Sequence, residues 1–167
     1  MKNWILAAAL AILALPTSTG AQTKDGLVGT WKLVSATHTT DKGEVKDAFG
    51  SGAVGFLNYT ADGRMMAIIS HGGRKPLSVS DYGGAPAAER AAAFGTFIAY
   101  AGTYTLETNR VVHHVQVASL QNLVGSDQVR TVVNRKGNHL TLRTPPFLYD
   151  SEMVTSELTW ERVTEKD

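Results

Sequence analysis

Alternation of apolar and polar residues, the mark of a half-buried strand, recurs along most of the chain beyond residue 27. Past Gly29, Trp31, Leu33 and Ser35 fall on one side and Lys32, Val34 and Ala36 on the other, which predicts a first strand over 27–38. Asp41-Lys42-Gly43 reads as a turn, and 45–52 as a glycine-containing loop that carries Phe49. A second strand over 54–60 and a third over 64–70 flank Ala61-Asp62-Gly63. Asp-Gly tolerates positive φ, so this segment predicts a tight hairpin.

His71-Gly72-Gly73-Arg74-Lys75-Pro76 then interrupts the pattern, and the stretch to Gly84 reads as irregular loop. Residues 85–94 differ: alanines with Glu89 and Arg90, and Pro86 near the first turn, predict a helix reaching about Ala99. Phe94, Phe97, Ile98 and Ala101 fall at helical spacing and would form one apolar face toward the sheet, making this helix a lid or plug. Strand patterns resume at 102–107, 110–118, 127–135, 139–144 and 152–163. Thr108-Asn109 and Lys136-Gly137-Asn138 serve as turns. The expected fold is all-β, with eight antiparallel strands joined mostly by brief connections in up-and-down order and one helix inserted after the third strand. Closing eight strands into a barrel removes exposed edges and leaves room inside for one small ligand.

The first 21 residues lie outside this pattern. One cation, Lys2, precedes an unbroken apolar run from Trp4 to Leu15, and small residues follow Pro16 up to Ala21. That is the form of a secretory signal peptide, and it is shorter than the ~20 apolar residues a bilayer span requires. The expectation is cleavage after Ala21, leaving 22–167 as a single barrel domain in the periplasm or secreted, with no membrane span after cleavage. There is no cysteine, so stability must come from burial and backbone pairing rather than disulfides. Without Lys2 the chain carries 15 basic and 15 acidic residues, a balance that offers no electrostatic footprint for nucleic acid.

Gly29-Thr30-Trp31-Lys32-Leu33-Val34-Ser35 is similar to the Gly-x-Trp opening strand of lipocalins and their relatives. Further matching segments follow in order: Tyr59-Thr60-Ala61-Asp62-Gly63-Arg64-Met65, Ala99-Tyr100-Ala101-Gly102-Thr103-Tyr104, His113-His114-Val115-Gln116-Val117, Gln128-Val129-Arg130 and Leu140-Thr141-Leu142-Arg143-Thr144-Pro145-Pro146. Together they make 27–163 resemble the bacterial and fungal lipocalin-like domain family. The resemblance implies a small calycin-type barrel with a helical insertion after the third strand. It implies no single reaction, because a fold does not fix chemistry.

Candidate ligand contacts are the residues expected inside such a barrel. Trp31 would fill the closed end, and Trp160, sharing a face with Leu158, would extend that floor. Consecutive strand residues point to opposite faces, so only one of His113 and His114 can line the interior. Val111, Val115 and Val117 share a side with His113, whereas His114 goes with Val112 and Gln116. An interior imidazole can orient a ligand oxygen or act as acid or base, or it can be a hydrogen-bonded structural histidine. Tyr59, Tyr100 and Tyr104 offer hydroxyls, and Phe97 an apolar contact from the helix. Arg130 and Arg143, on neighbouring strands, are each suited to a ligand carboxylate or to solvent, and the resemblance implies Arg130 as the one that reaches a ligand.

Other chemistry lacks its motifs. His71-Gly72-Gly73 has no Gly-x-Ser-x-Gly partner and is not an oxyanion loop. His38, His71, His113, His114 and His139 show no zinc-ligand spacing, and phosphate-loop and dinucleotide glycine patterns are missing, so neither metal nor cofactor is expected. Three readings stay open: a carrier or sensor of a small, mostly hydrophobic molecule; an isomerase, cyclase or hydrolase using a barrel-lining histidine; and a structural protein with a filled core. Ligand identity and oligomeric state do not follow from these residues.

Overall fold

The structure is a computed structural model that describes residues 26–81 and 83–164. The expected signal segment, 1–21, lies outside the described residues. In chain order the strands are β1 (Gly29–Thr40), β2 (Val45–Asp47), β3 (Val54–Tyr59), β4 (Arg64–Ser70), β5 (Phe97–Leu106), β6 (Arg110–Ala118), β7 (Asp127–Lys136), β8 (His139–Arg143), β9 (Phe147–Tyr149) and β10 (Glu152–Arg162), with helix α1 (Ala87–Gly95) between β4 and β5. The sheet runs β2-β1-β3-β4-β5-β6-β7-β8-β10-β9, and β1 also pairs with β10. Eight antiparallel strands therefore close into a barrel. β2 and β9 are short additions that extend the rim, pairing with the outer ends of β1 and β10. The residues expected to form only a loop at 45–52 thus include a three-residue strand.

Two further expectations give way to β-bulges. The register of β1 against β10 slips between Leu33 and Ser35, so Trp31 and Leu33 point inward but the inward series then continues as Ala36, His38 and Thr40. One extra residue reverses which parity faces the core. Likewise β6 slips opposite Ala101 and Gly102, and Val117, expected beside His113, is exposed. Gly102 is required there. A Cβ at this position would overlap the carbonyl oxygen of His114 and lie 3.1 Å from the backbone nitrogen of Gln116.

The helix is also shorter than expected and sits elsewhere. It ends at Gly95, and Phe97–Ser70 through Thr103–Arg64 form a continuous ladder between β5 and β4. Phe97, Ile98 and Ala101 are strand residues, since an open edge on β4 gains more from backbone pairing than an isolated helix gains from another turn. Phe94 is half exposed and no residue of α1 is buried. The helix is tied instead to the preceding loop, through Arg90 donating to the Gly83 carbonyl at 2.6 Å and Glu89 accepting from the Ser78 N–H at 2.9 Å.

The interior is filled at one end only. Trp31 and Leu27 are fully buried there, and the Trp31 Nε1–H donates to the Leu27 carbonyl at 2.9 Å. The Arg162 guanidinium lies 4.1 Å from the centre of the Trp31 ring while donating to the carbonyls of Val28 and Gly26 at 2.6 and 2.8 Å. This cation–π contact contributes about 1 kcal/mol and fixes the ring as a plug. Gly29, at φ 136°, leaves space for Arg162 that any side chain would fill. Above the plug, Tyr59, Tyr104, Leu57, Met65, Val111 and Leu140 complete a packed lower half.

Replacing Gly102 with alanine should lower stability by about 1–3 kcal/mol, because the clash is with backbone that cannot move aside cheaply. A urea unfolding midpoint equal to wild type would show that β5 and β6 do not approach this closely.

Candidate functional site

Over the packed half lies a cavity of about 560 Å³. That is within the usual range for sites that enclose a small molecule. Its wall combines inward residues of all eight barrel strands, among them Leu57, Ala67, Ile69, Ile98, Leu142 and Leu158, so it is largely apolar. The rim is formed by Leu120 and by Phe147, Leu148 and Tyr149, all of them exposed.

A polar chain crosses this apolar setting. His113 on β6 is 1% exposed, and both of its ring nitrogens are engaged. The Tyr59 hydroxyl lies 2.6 Å from Nε2 and the Tyr100 hydroxyl 3.0 Å from Nδ1. Burial, assisted by the positive charge of Arg130 and by His114, pushes the His113 pKa down to about 3. The ring is therefore neutral, with one donor and one acceptor nitrogen. Burial also holds the Tyr59 phenol well above its ordinary range, so it stays protonated. Among the described residues, Tyr59 has no other side-chain hydrogen-bond partner. It must donate to Nε2, because the opposite tautomer would strand a buried O–H. Nδ1–H then donates to Tyr100, and the Tyr100 hydroxyl hydrogen is left to point to a guest in the cavity.

Arg130 on β7 faces the same space. It pairs across the ladder with inward-facing Val111, and Gln128 pairs with His113. On the β1–β10 wall, His38 sits opposite Ser156 and its Nδ1 is 2.8 Å from the serine hydroxyl. Its Nε2 is buried without a partner, as is the Trp160 Nε1. Phe49, Phe147 and Tyr149 surround the His38 ring with centroids 6.3, 6.0 and 4.8 Å away. Burial lowers the His38 pKa, with His71 adding to the shift and Asp47 opposing it.

The residues singled out from sequence thus divide into three groups. Tyr100, His113, Arg130 and Trp160 line the cavity. Trp31, Tyr59 and Tyr104 belong to the packed half beneath it, Tyr59 acting on the cavity only through His113. Phe97 and His114 lie outside: Phe97 packs under Arg74, with the guanidinium 5.3 Å from its ring, and His114 is on the outer surface. There His114 Nδ1 meets Asp127 at 2.6 Å and Nε2 meets the Thr105 hydroxyl at 2.9 Å. That row has the connectivity of a nucleophile, base and acid but lies across an exposed sheet face. Simple alternation missed His38 because the bulge at Val34 inverts the pattern of β1, whereas Ser156 shares the inward parity of Trp160 on β10. The rim aromatics at 147–149 carried an apolar signal that was assigned to no element. Among the described residues, no three His, Asp or Glu side chains gather to hold a metal ion, and no helix is long and apolar enough to cross a membrane.

A match to a known family agrees with this architecture. The model of the lipocalin-like domain family matches residues 28–163. The 4'-hydroxy-3'-methoxypropiophenone carrier protein ppsC of Aspergillus oryzae is 33% identical over 102 residues, which span 56% of this chain and 86% of that relative. A redesigned β-barrel aligns with a TM-score of 0.41 at 12% identity, covering 84% of this chain and 94% of its own. A protein from Bacteroides eggerthii aligns with a TM-score of 0.41 at 10% identity, over 81% and 98%. The closed barrel, the Trp31 plug and a family match spanning nearly every described strand lead to one assignment: the chain belongs to the lipocalin-like domain family.

Proposed function

We propose that this protein is an exported carrier that holds one small, mostly apolar aromatic molecule in its half-empty barrel. The observation that carries the reading is the 560 Å³ cavity, apolar around most of its wall and supplied with a few fixed polar groups. A pocket of that kind gains affinity from burying the guest's hydrocarbon surface and orientation from the polar groups. The relative from Aspergillus oryzae, a carrier of an aryl ketone by its name, supports the aromatic class. In this chain the Tyr100 hydroxyl would donate to the guest's oxygen, backed by His113 and Tyr59. Export is supported by the signal-like residues 1–21, with 22–167 as the mature domain.

Binding fits the site better than catalysis. An imidazole whose pKa is pushed down to about 3 is not an imidazolium at neutral pH and is a weak base, and both of its nitrogens are already occupied. His113 therefore orders hydrogen bonds rather than exchanging protons. Because α1 contributes nothing to the cavity wall, entry is through the rim around Phe147, Leu148 and Tyr149.

Calorimetric titration with 4'-hydroxy-3'-methoxypropiophenone should give one site per chain in the micromolar range. Ile98→Trp, which puts an indole into the cavity from a half-buried wall position, should weaken that binding about tenfold or more. Binding that survives intact in the filled variant would place the ligand elsewhere.

The neutral His113 also makes a stability prediction. Its folded pKa of about 3 lies below the ordinary 6.5, so between these values the unfolded chain binds more protons. Stabilisation is complete above about pH 6.5 and is lost progressively as pH falls toward 3. His113→Gln keeps a donor and an acceptor but cannot titrate. Its melting temperature should fall less steeply from pH 6.5 to 4 than that of wild type, the remaining slope including His38 and His71, whose pKa values are also lowered. Identical slopes would contradict a buried neutral imidazole.

A further inference from the structure

The two arginines raised by the sequence meet different surroundings. Arg143 turns outward and donates from Nε to the Glu157 carboxylate at 2.6 Å. Arg130 lines the cavity, and its hydrogen bonds go to neutral acceptors: the Val129 carbonyl at 2.8 Å and Gln128 Oε1 at 3.5 Å. Among the described residues no carboxylate forms an ion pair with it. A guanidinium held against an apolar hollow gives up part of its hydration, and a cation in that position is stabilised when an anion joins it. Two of its five N–H groups are used within the protein, leaving a fork suited to an oxyanion.

The other polar groups of the cavity point the same way. The Tyr100 hydroxyl has its hydrogen free, and the buried Trp160 Nε1, which can only donate, has no acceptor. Asp127 lines the cavity at the start of β7, but its carboxylate is engaged by His114 on the outer face, and Glu157 is paired with Arg143. The cavity thus offers a fixed positive charge and unused donors, and the one carboxylate among its described lining residues, Asp127, is already engaged by His114. The titratable groups lining this space are His113 on β6, Tyr100 on β5, His38 across the barrel on β1, Tyr149 on β9 and Asp127 on β7, with Tyr59 on β3 beneath it acting through His113. His113 and His38 are kept neutral by burial, and Tyr59 is kept protonated, so none of these three supplies an anion.

We propose that the cavity binds its guest as an oxyanion, an ionised phenol or a carboxylate, seated on the Arg130 guanidinium with the Tyr100 hydroxyl as second donor. This rests on the barrel interior being the ligand site, and it names the charge of the ligand that site selects.

Three probes test it: 4'-hydroxy-3'-methoxypropiophenone, its 4'-O-methyl ether, which cannot ionise, and 4-methoxybenzoate. In the wild-type complex the phenolate absorbance of the first probe should develop about one pH unit or more below that of the free compound. Arg130→Gln should remove this displacement and weaken the phenolate or the benzoate about tenfold or more, while the ether changes by about twofold or less. Arg130→Lys, which keeps the charge, should retain most of the displacement, and near-ultraviolet circular dichroism checks that each variant is folded. Displacement with the phenol alone assigns a phenolate site, and tight binding of the benzoate alone a carboxylate site; each supports the proposal. An undisplaced titration, with all three probes indifferent to Arg130, overturns it and leaves the carrier reading standing. Failure of every probe to bind wild type overturns the carrier reading and the oxyanion proposal with it.

Discussion

Closure by β1 and β10 is the constraint on which the rest of this molecule depends. These two strands pair from Trp31–Arg162 to Thr40–Val154, a ribbon longer than any other in the sheet, and each also pairs with the strand on its far side. Without that ladder the sheet would have two open edges and no inside. With it, every inward side chain faces another across a confined space, and the Trp31 plug with Arg162 stacked on it seals one end. The same ribbon carries the bulge at Val34 that turns His38 into the cavity opposite Ser156.

A barrel of eight strands is just wide enough for its side chains to fill. Here the filling is uneven. Large residues such as Tyr59, Tyr104, Leu57 and Trp31 occupy the lower half, while the upper half is lined by Ala67, Ile69, Ile98 and Leu142, which do not reach its centre. His113 lies where the two regimes meet. Its ring is held from the packed half by Tyr59 and toward the hollow half by Tyr100, so a rigid core fixes the direction of a hydroxyl in the pocket. Pre-organisation of this kind lowers the ordering cost of binding.

The electrostatic character of the interior follows from what surrounds it. Low polarity keeps His113 and His38 neutral, Arg143 pairs outward with Glu157, and Asp127 at the cavity wall is hydrogen-bonded to His114 on the outer face. Arg130 is the fixed cation that faces the hollow, and its field contributes to lowering the His113 pKa. Polar groups that satisfy each other within the protein do not compete for a guest. Those left over, the Tyr100 hydroxyl, the Trp160 N–H and the spare donors of Arg130, define what a guest must bring.

Much of this was legible in the sequence. Period-two alternation, the Asp62-Gly63 hairpin and the even spacing of turns determine an all-β chain of eight principal strands, since backbone pairing and one-sided burial leave few alternatives. Alternation around Val111 and Val115 favoured His113 over His114 for the interior, and the strand register then decided it. What the tertiary structure decided are the features that depend on neighbours remote in sequence. Bulges at Val34 and Gln116 answer the geometry of the partner strand, and they moved His38 inward and Val117 outward. Phe97 and Ile98 have helical spacing with Phe94, yet the unpaired edge of β4 drew them into a strand. Whether Arg130 or Arg143 faces the ligand space was likewise settled by register across the barrel, because a side chain's own residue type does not reveal which carboxylate, if any, will stand beside it.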